Sequence, residues 1–344
     1  MELRTFTSTT PDASTRGAEL GAAFAPQYRR TAELYLAHFA ELGIGTGGVR
    51  AIADPPHPSP TGWPRGRGAE PDAIAAAAGL EPWRLAAVGG RTEILAVAPP
   101  PREGECSTAV HVGPGHAAET LQTWDWHDFL VPQGLLVEFT AAGGMRVKMF
   151  TEFGTAAKIG VNSAGLGLHF NILSHQTDSD AGGVPVHAIA RRVLEEARTI
   201  EDARDIAASA PVSASTVLTV FTTDGAGSRA ASLELSPAGL GVVEPAADGW
   251  LFHTNHFLDQ ALYVGDTMPA DSTTVERFAH LDDVRDALAG LDPTARALAA
   301  CGGHGAAAEI CMTPDPTLPR VDQWATLLTV AVDTEGFALE VFPG

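Results

Sequence analysis

The sequence predicts an α+β fold in which antiparallel sheets are covered by helices. Three observations predict it. The first third of the chain carries helical periodicity broken by Pro/Gly-rich loops. From residue 106 onward, short runs of strand composition alternate with Gly-containing turns and are interrupted by one helical pair. No GxGxxG or GxxxxGK[ST] opens a helix after a strand, which disfavours nucleotide-binding parallel α/β folds.

In chain order, residues 17–42 place Leu, Phe, Tyr and Ala near helical spacing and predict one amphipathic helix. Residues 53–68 read as a Pro/Gly-rich loop, and 70–80 and 82–90 as two short helices. TEILAVA (92–98) reads as extended, and APPPREGE is a second Pro-rich segment leading into Cys106. CSTAVHV, ETLQTWDWH, LLVEFT, MRVKMF, KIGVN and GLGLHFNIL then predict six strands. Helices are expected at 184–197 and 201–209. STVLTVFTT, RAASLEL, GLGVVEP and GWLFHT return to strands, helices follow at 275–290 and 293–301, and AAEICMT, QWATLLTVAVD and FALEVF close the chain as strands.

A chain of 344 residues with 45% hydrophobic and 19% charged residues can bury a core without disulfides or metal. No repeat at solenoid spacing is visible. The net charge of −20 is unevenly spread. Residues 1–105 carry 10 Arg against 12 acids, whereas 106–344 carry 12 basic against 30 acidic residues. That field repels nucleic acid and anionic membranes, so neither is an expected partner. Three cysteines, Cys106, Cys301 and Cys311, are too few for a secreted disulfide scaffold. With no 18-residue apolar run and no apolar signal core near the start, the expected location is cytoplasmic.

Lys occurs only twice against 20 Arg, and Asn only three times, which fits a GC-rich coding bias. The scarce residues draw attention to Asn162, Asn171, Asn255, Lys148 and Lys158. Asn162 and Asn171 suit turn and hairpin roles, while Lys158 with Glu152 reads equally as a buried pair or as two solvated groups. His253 and His256, with His127, invite a metal reading, but strands and turns do not make that spacing converge. CGGH…C (Cys301, His304, Cys311) is too sparse for a zinc knuckle, and free core thiols fit better. No metal or cofactor is expected. A lone cysteine such as Cys106 is most often a small core residue.

Six ordered blocks change that weighting. RGAELGAAFAPQYRRTAELY, GRTEIL, ECSTAV with TWDWH, TEFGTAAKIGVNSAGLGLHFNIL, HTNHFL, and EIC with WATLLTVAVD resemble the acyl-coenzyme A:6-aminopenicillanic acid acyltransferase family, also called isopenicillin N acyltransferases. These are self-cleaving cysteine N-terminal-nucleophile hydrolases. The resemblance runs through most of the chain and implies a four-layer αββα sandwich of two antiparallel sheets between helix layers. It implies self-cleavage between Glu105 and Cys106, leaving 1–105 and 106–344 packed together as one catalytic domain. Cys106 would then hold both thiol and α-amine, and an α-amine titrating near roughly 7.7–8.0 can take the thiol proton itself. Asp125 matches the family's catalytic Asp and would orient the ammonium group. In a strand it should face away from Trp124 and Trp126. Asn255 matches the catalytic Asn, whose NH₂ would donate to the oxyanion.

The implied reaction cleaves or transfers the acyl group of a small N-acylated compound, with acyl-coenzyme A as an alternative donor. The acidic 106–344 segment tilts the reading towards hydrolysis. Two positions depart from the family pattern, Glu105 in place of Gly and Thr123 in place of Asn. Glu105 leaves two alternatives open: an unprocessed non-catalytic scaffold, or a thiol hydrolase using His253 or His256 as base without self-cleavage. The substrate-binding residues are not encoded in these motifs.

Overall fold

The computed structural model describes residues 1–54, 63, 68–96, 106–269, 272–302 and 310–343. The chain opens with strand β1 (Glu2–Thr7), then helices α1 (Ala13–Ala23), α2 (Ala25–Glu41), α3 (Thr46–Ala53), α4 (Ala69–Ala78), α5 (Pro82–Gly89) and α6 (Arg91–Leu95). Six strands follow: β2 (Ser107–His111), β3 (Glu119–Trp126), β4 (Gln133–Thr140), β5 (Arg146–Glu152), β6 (Ile159–Asn162) and β7 (Leu166–Ile172). Helices α7 (Val186–Glu196) and α8 (Ile200–Ala208) precede β8 (Thr216–Asp224), β9 (Gly227–Ser236), β10 (Gly239–Val243) and β11 (Trp250–His253). The chain ends with α9 (Gln260–Tyr263), α10 (Thr274–Leu288), α11 (Pro293–Cys301), a 3₁₀ turn at Arg320–Asp322, β12 (Ala325–Asp333) and β13 (Ala338–Pro343).

The strands form an eight-stranded sheet, β1-β4-β5-β6-β7-β8-β9-β10, and a five-stranded sheet, β11-β2-β3-β12-β13. Alternation along each strand decides which side chains meet. Leu135, Val137, Met149, Leu168 and Leu233 point outward from the large sheet, under Ile189 and Val193 of α7, Ala203 of α8 and Ile74 of α4. Val110, Trp124, Leu328 and Val330 point inward from the small sheet to meet Phe150, Ile159 and Val161 of the large one. Ala109, Leu121 and Phe252 face out from the small sheet under Leu281 and Leu288 of α10 and Ala297 of α11. The result is the expected αββα sandwich.

Several details differ from the sequence expectation, and one is that residues 310–313 of the expected strand AAEICMT lie in no strand. The sheets are not purely antiparallel, because β1 pairs with β4 in parallel, with Leu3 opposite Gly134. Among its described residues, the segment before Cys106 is therefore helical but for one edge strand. The helix expected over 17–42 is two helices broken at Phe24, whose φ of −127° leaves the helical region, and Pro26 stands in the first turn of α2. Residues 91–95 are helical, not extended. Their run of Thr, Ile and Leu is too short for periodicity to separate strand from helix.

Local chemistry sets the other boundaries. Asp12 caps α1 by accepting from Thr15 N–H, and Thr199 with Asp202 forms a capping box on α8. Gly21 lets α1 lie against α4, since a Cβ there would sit 2.6 Å from the Ile74 carbonyl oxygen. Gly154, at φ +119° in the β5–β6 turn, packs where a Cβ would meet Val88 at 2.7 Å. That turn separates Glu152 from Lys158. Among the described residues, no helix is long and apolar enough to cross a membrane.

Candidate active site

Cys106 stands immediately before β2 and is buried at 3% exposure. Its backbone nitrogen donates to Asn255 Oδ1 at 2.8 Å. Asn255 follows β11 and is itself tightly held. Its N–H donates to Thr274 Oγ1 at 2.8 Å and its Nδ2 to the Ile172 carbonyl at 2.8 Å. Arg277 of α10 completes the arrangement. Its Nη2 donates to Asn255 Oδ1 at 3.0 Å, and its Nη1 to the Cys106 carbonyl at 2.7 Å and to Ser107 Oγ at 3.0 Å.

The amide orientation of Asn255 follows from this pattern. Two donors, the Cys106 nitrogen and Arg277, converge on one atom, which must be the oxygen. The opposite face meets a carbonyl and must carry the NH₂. The sequence reading aimed that NH₂ at the oxyanion. Here one of its hydrogens goes to the Ile172 carbonyl, and the oxygen holds the Cys106 nitrogen.

Asn171, on β7, reaches across from the large sheet. Its Nδ2 donates to the Cys106 carbonyl at 3.0 Å, and its Oδ1 accepts from Thr108 Oγ1 at 2.7 Å and Gln122 Nε2 at 3.2 Å. This buried bridge differs from the hairpin role expected of it. Asn162 does take a turn role: Oδ1 closes the β6–β7 hairpin onto Ala164 and Leu166 N–H, and Nδ2 caps α7 at Leu194 and Ala197.

Asp125 lies where alternation puts it, facing away from Trp124 and Trp126, and accepts from Thr326 Oγ1 at 2.6 Å. Burial, then the Asp125 charge, push the Cys106 thiol up to about 11, against the pull of Lys158, an Asp125 N–H and Arg277. In this arrangement the thiol keeps its proton at neutral pH and needs an acceptor before it can attack.

Beside the cysteine lies a buried ion cluster. Glu152 accepts from Arg91 Nη2 at 2.7 Å, Tyr35 Oη at 2.7 Å and Lys158 Nζ at 3.1 Å. Burial raises the Glu152 carboxyl, but Arg91 and Lys158 outweigh that and hold it below the usual carboxylate range. Arg91 Nε also donates to Tyr35 Oη at 2.9 Å, as does Trp126 Nε1 at 3.0 Å, and Arg91 Nη1 meets His187 Nε2. Glu152 and Lys158 are thus a buried pair.

The histidines have polar partners of their own. His253 Nε2 meets Glu234 Oε1 at 2.7 Å, His256 Nδ1 meets Thr274 Oγ1 at 2.9 Å, and His127 Nδ1 meets the Gln323 carbonyl at 2.8 Å. Among the described residues, no three His, Cys, Asp or Glu side chains converge as metal ligands. Cys301 and Cys311 are half-buried free thiols. Glu105 and His304 lie outside the described residues.

A cavity of about 480 Å³ opens between α1, α4, α7 and the outer face of the large sheet. Tyr28, Leu85 and Met149 line it, and Glu152 forms part of its wall. Arg16, Arg191 and Arg192 also line it, but each is tied to a carboxylate: Arg16 and Arg191 to Glu70, and Arg192 to Glu196. Cys106 is not among the lining residues, so the glutamate–lysine layer stands between this cavity and the thiol.

Sequence reasoning missed Arg277, the bond from Asn171 to the Cys106 carbonyl, and the role of Arg91. Arg277 sits in a charged helical run, TVERFAHLDDVRDAL, and no spacing distinguishes it from solvated neighbours.

Comparison with known proteins brings a family to these residues. The family model of acyl-coenzyme A:6-aminopenicillanic acid acyl-transferase matches residues 119–290, half of the chain. That span contains Asp125, Asn255 and Arg277 and begins after Cys106. The 40 kDa form of acyl-coenzyme A:6-aminopenicillanic-acid-acyltransferase from Emericella nidulans is 30% identical over 187 residues, 54% of this chain and 50% of the relative. The match thus spans about half the relative's length. Two solved structures are also similar. Penicillin V acylase from Agrobacterium tumefaciens has a TM-score of 0.46 at 16% identity, over 70% of this chain and 83% of that one. A mutant conjugated bile acid hydrolase from Clostridium perfringens has a TM-score of 0.42 at 12% identity, over 69% of this chain and 92% of that one.

Proposed function

The chain belongs to the acyl-coenzyme A:6-aminopenicillanic acid acyl-transferase family, and from that membership we propose that Cys106 becomes the N-terminal nucleophile of an amidohydrolase or acyltransferase acting on a small N-acylated compound. The observation that carries the reading is the 2.8 Å bond from the Cys106 nitrogen to Asn255 Oδ1. A nucleophile that supplies its own base needs its nitrogen held in one place, and here that atom already has a fixed acceptor.

Maturation comes first. The Cys106 sulfur attacks the carbonyl carbon of Glu105, the C–N bond breaks, and the nitrogen takes up a proton as the thioester forms. Water then hydrolyses the thioester, returning the thiol and leaving residues 1–105 with a new carboxylate. Arg91 and Tyr35 remain bonded to Glu152 across the cut, so the two pieces stay joined.

In turnover, the freed amine accepts the thiol proton as sulfur attacks the substrate carbonyl. The resulting ammonium returns a proton to the departing amine, leaving an acyl group on Cys106. Water or a second amine then takes the acyl group. Asn255 keeps the amine in line, Arg277 and Asn171 fix the Cys106 carbonyl, and Asp125 supplies the negative charge that favours the ammonium form. Hydrolysis suits this chain better than transfer from an anionic coenzyme A donor. Residues 106–344 carry a net −18.

The test is to quench the protein during reaction with a panel of N-acyl amides and weigh the fragments. A mass gain of one acyl group on the piece beginning at Cys106, absent from Cys106→Ala, is the expected result. Turnover that survives Cys106→Ala would sink the reading.

A further inference from the structure

The buried cluster beside Cys106 contains a lysine that the reaction above does not use. Lys158 is 2% exposed, with Nζ 3.1 Å from Glu152 Oε1 and 4.1 Å from the centroid of the Trp124 ring. Ser107 pairs with Thr123, so the next register position puts Trp124 beside Cys106. The lysine therefore lies against the ring that walls the cysteine. We propose that Lys158 is a positioning residue that stabilises the negative charge of the Cys106 sulfur, and that Glu152 keeps it charged for that purpose.

The neighbouring charges support this assignment. Around the sulfur stand the carboxylate of Asp125 from β3, the guanidinium of Arg277 from α10, and Lys158 from just before β6. Asp125 opposes a thiolate, and Arg277 is spent on the Cys106 carbonyl, Ser107 and Asn255. Around Lys158 stand Glu152 from β5, Arg91 from α6 and His187 from α7, and the Cys106 sulfur is near enough for its charge to favour the ammonium form. Burial, then the Arg91 charge, push Lys158 down to about 8, while Glu152 and Cys106 support its ammonium form. Glu152 can do this because Arg91 and Tyr35, both from before the cut, complete its hydrogen bonding. The uncut chain makes the role sharper. Its Cys106 nitrogen is locked in a peptide bond and cannot act as base, yet the sulfur must become nucleophilic.

The inference rests on Cys106 being the nucleophile, but its test needs no substrate. The rate of iodoacetamide alkylation of Cys106 is followed between pH 6 and 10 on the Cys106 peptide by mass spectrometry. In the unsubstituted protein the rate should rise with pH and flatten near pH 8, where Lys158 loses its charge. Lys158→Met should be about tenfold slower below that break, equivalent to about one unit in thiol pKa, and should show no break. Lys158→Arg, whose charge does not titrate in this range, should match the unsubstituted rate at low pH and continue rising. Any break owed to a free α-amine would persist in both variants. Lys158→Met leaves Glu152 paired with Arg91 and Tyr35, so the carboxylate stays neutralised. Should Lys158→Met not fold, the Lys158→Arg profile decides alone. A break retained in Lys158→Arg, or an unchanged low-pH rate in Lys158→Met, overturns the inference. Such a result leaves acyl-enzyme formation on Cys106 untouched, and a missing acyl-enzyme would overturn the function without altering these profiles.

Discussion

Glu152→Gln removes the one negative charge from a buried cluster that holds two cations. Glutamine keeps the shape and can still accept from Tyr35, so packing is preserved. Arg91 and Lys158, 1% and 2% exposed, lose their shared counter-charge. Breaking a buried pair by removing one partner costs about 3–5 kcal/mol, because a desolvated charge is left behind. Against a typical total of about 5–15 kcal/mol, that is a large fraction.

The loss should depend on pH, with a definite sign. Lys158 already titrates near 8, below its ordinary 10.5, and Glu152 is one of the groups supporting its charge. Without Glu152 its folded pKa falls further. A lysine with a depressed folded pKa contributes stability above its unfolded pKa and loses it as pH falls. The deficit of Glu152→Gln should therefore be largest at pH 6 and shrink at pH 9. Urea unfolding at pH 6, 7.5 and 9, in a Cys106→Ala background that keeps one uncut chain, reads this directly. Lys158→Met, which leaves Glu152 matched by Arg91, should cost less. A deficit below about 1 kcal/mol at every pH, or one that grows towards pH 9, would refute the reasoning.

Other outcomes follow from the same geometry. Burial pushes Glu93 up to about 7, against a hydrogen bond from Val186 N–H at 2.8 Å. Its contribution to stability is therefore full below pH 4.5 and is lost as pH rises through 7. Glu93→Gln keeps the acceptor and should gain about 3 kcal/mol over the unsubstituted chain at pH 8 but little at pH 4. Urea midpoints at the two pH values check it. Arg277→Met removes the donor shared by the Cys106 carbonyl, Ser107 and Asn255. It should slow self-cleavage by roughly 10–100-fold, since hydrogen bonds to charged groups contribute about 1.5–3 kcal/mol. A gel time course after synthesis reads the rate, and unchanged cleavage would contradict the role given to Arg277.

What could be read from the sequence depended on how local the cause was. The alternation in TWDW is local: a strand of period two must put both Trp rings on one face and Asp125 on the other, and it does. The strands after residue 106 and the helices at 184–197 and 275–290 carry their own punctuation, so their existence was legible. The break at Phe24 was signalled only by Pro26, because the apolar spacing continues through it. Residues 91–95 were undecidable from five side chains, and their helix is tied to the rest through Arg91 and Glu93. Site residues divide in the same way. Cys106, Asp125 and Asn255 stood out through motif blocks and through the rarity of Asn. Arg277 did not, because its partners on β2 and after β11 are up to 171 positions away, and only folding brings them to one guanidinium. Asn255 stood out in its block, but the partners of its amide oxygen, the Cys106 nitrogen and Arg277, are ones that sequence cannot place.

The central claim is that Cys106 becomes a chain terminus, and weighing the intact protein tests it most directly. Freshly purified protein should separate under denaturing conditions into pieces of 105 and 239 residues, the second beginning at Cys106, while Cys106→Ala remains a single chain of 344. One uncut chain in both preparations would contradict the account.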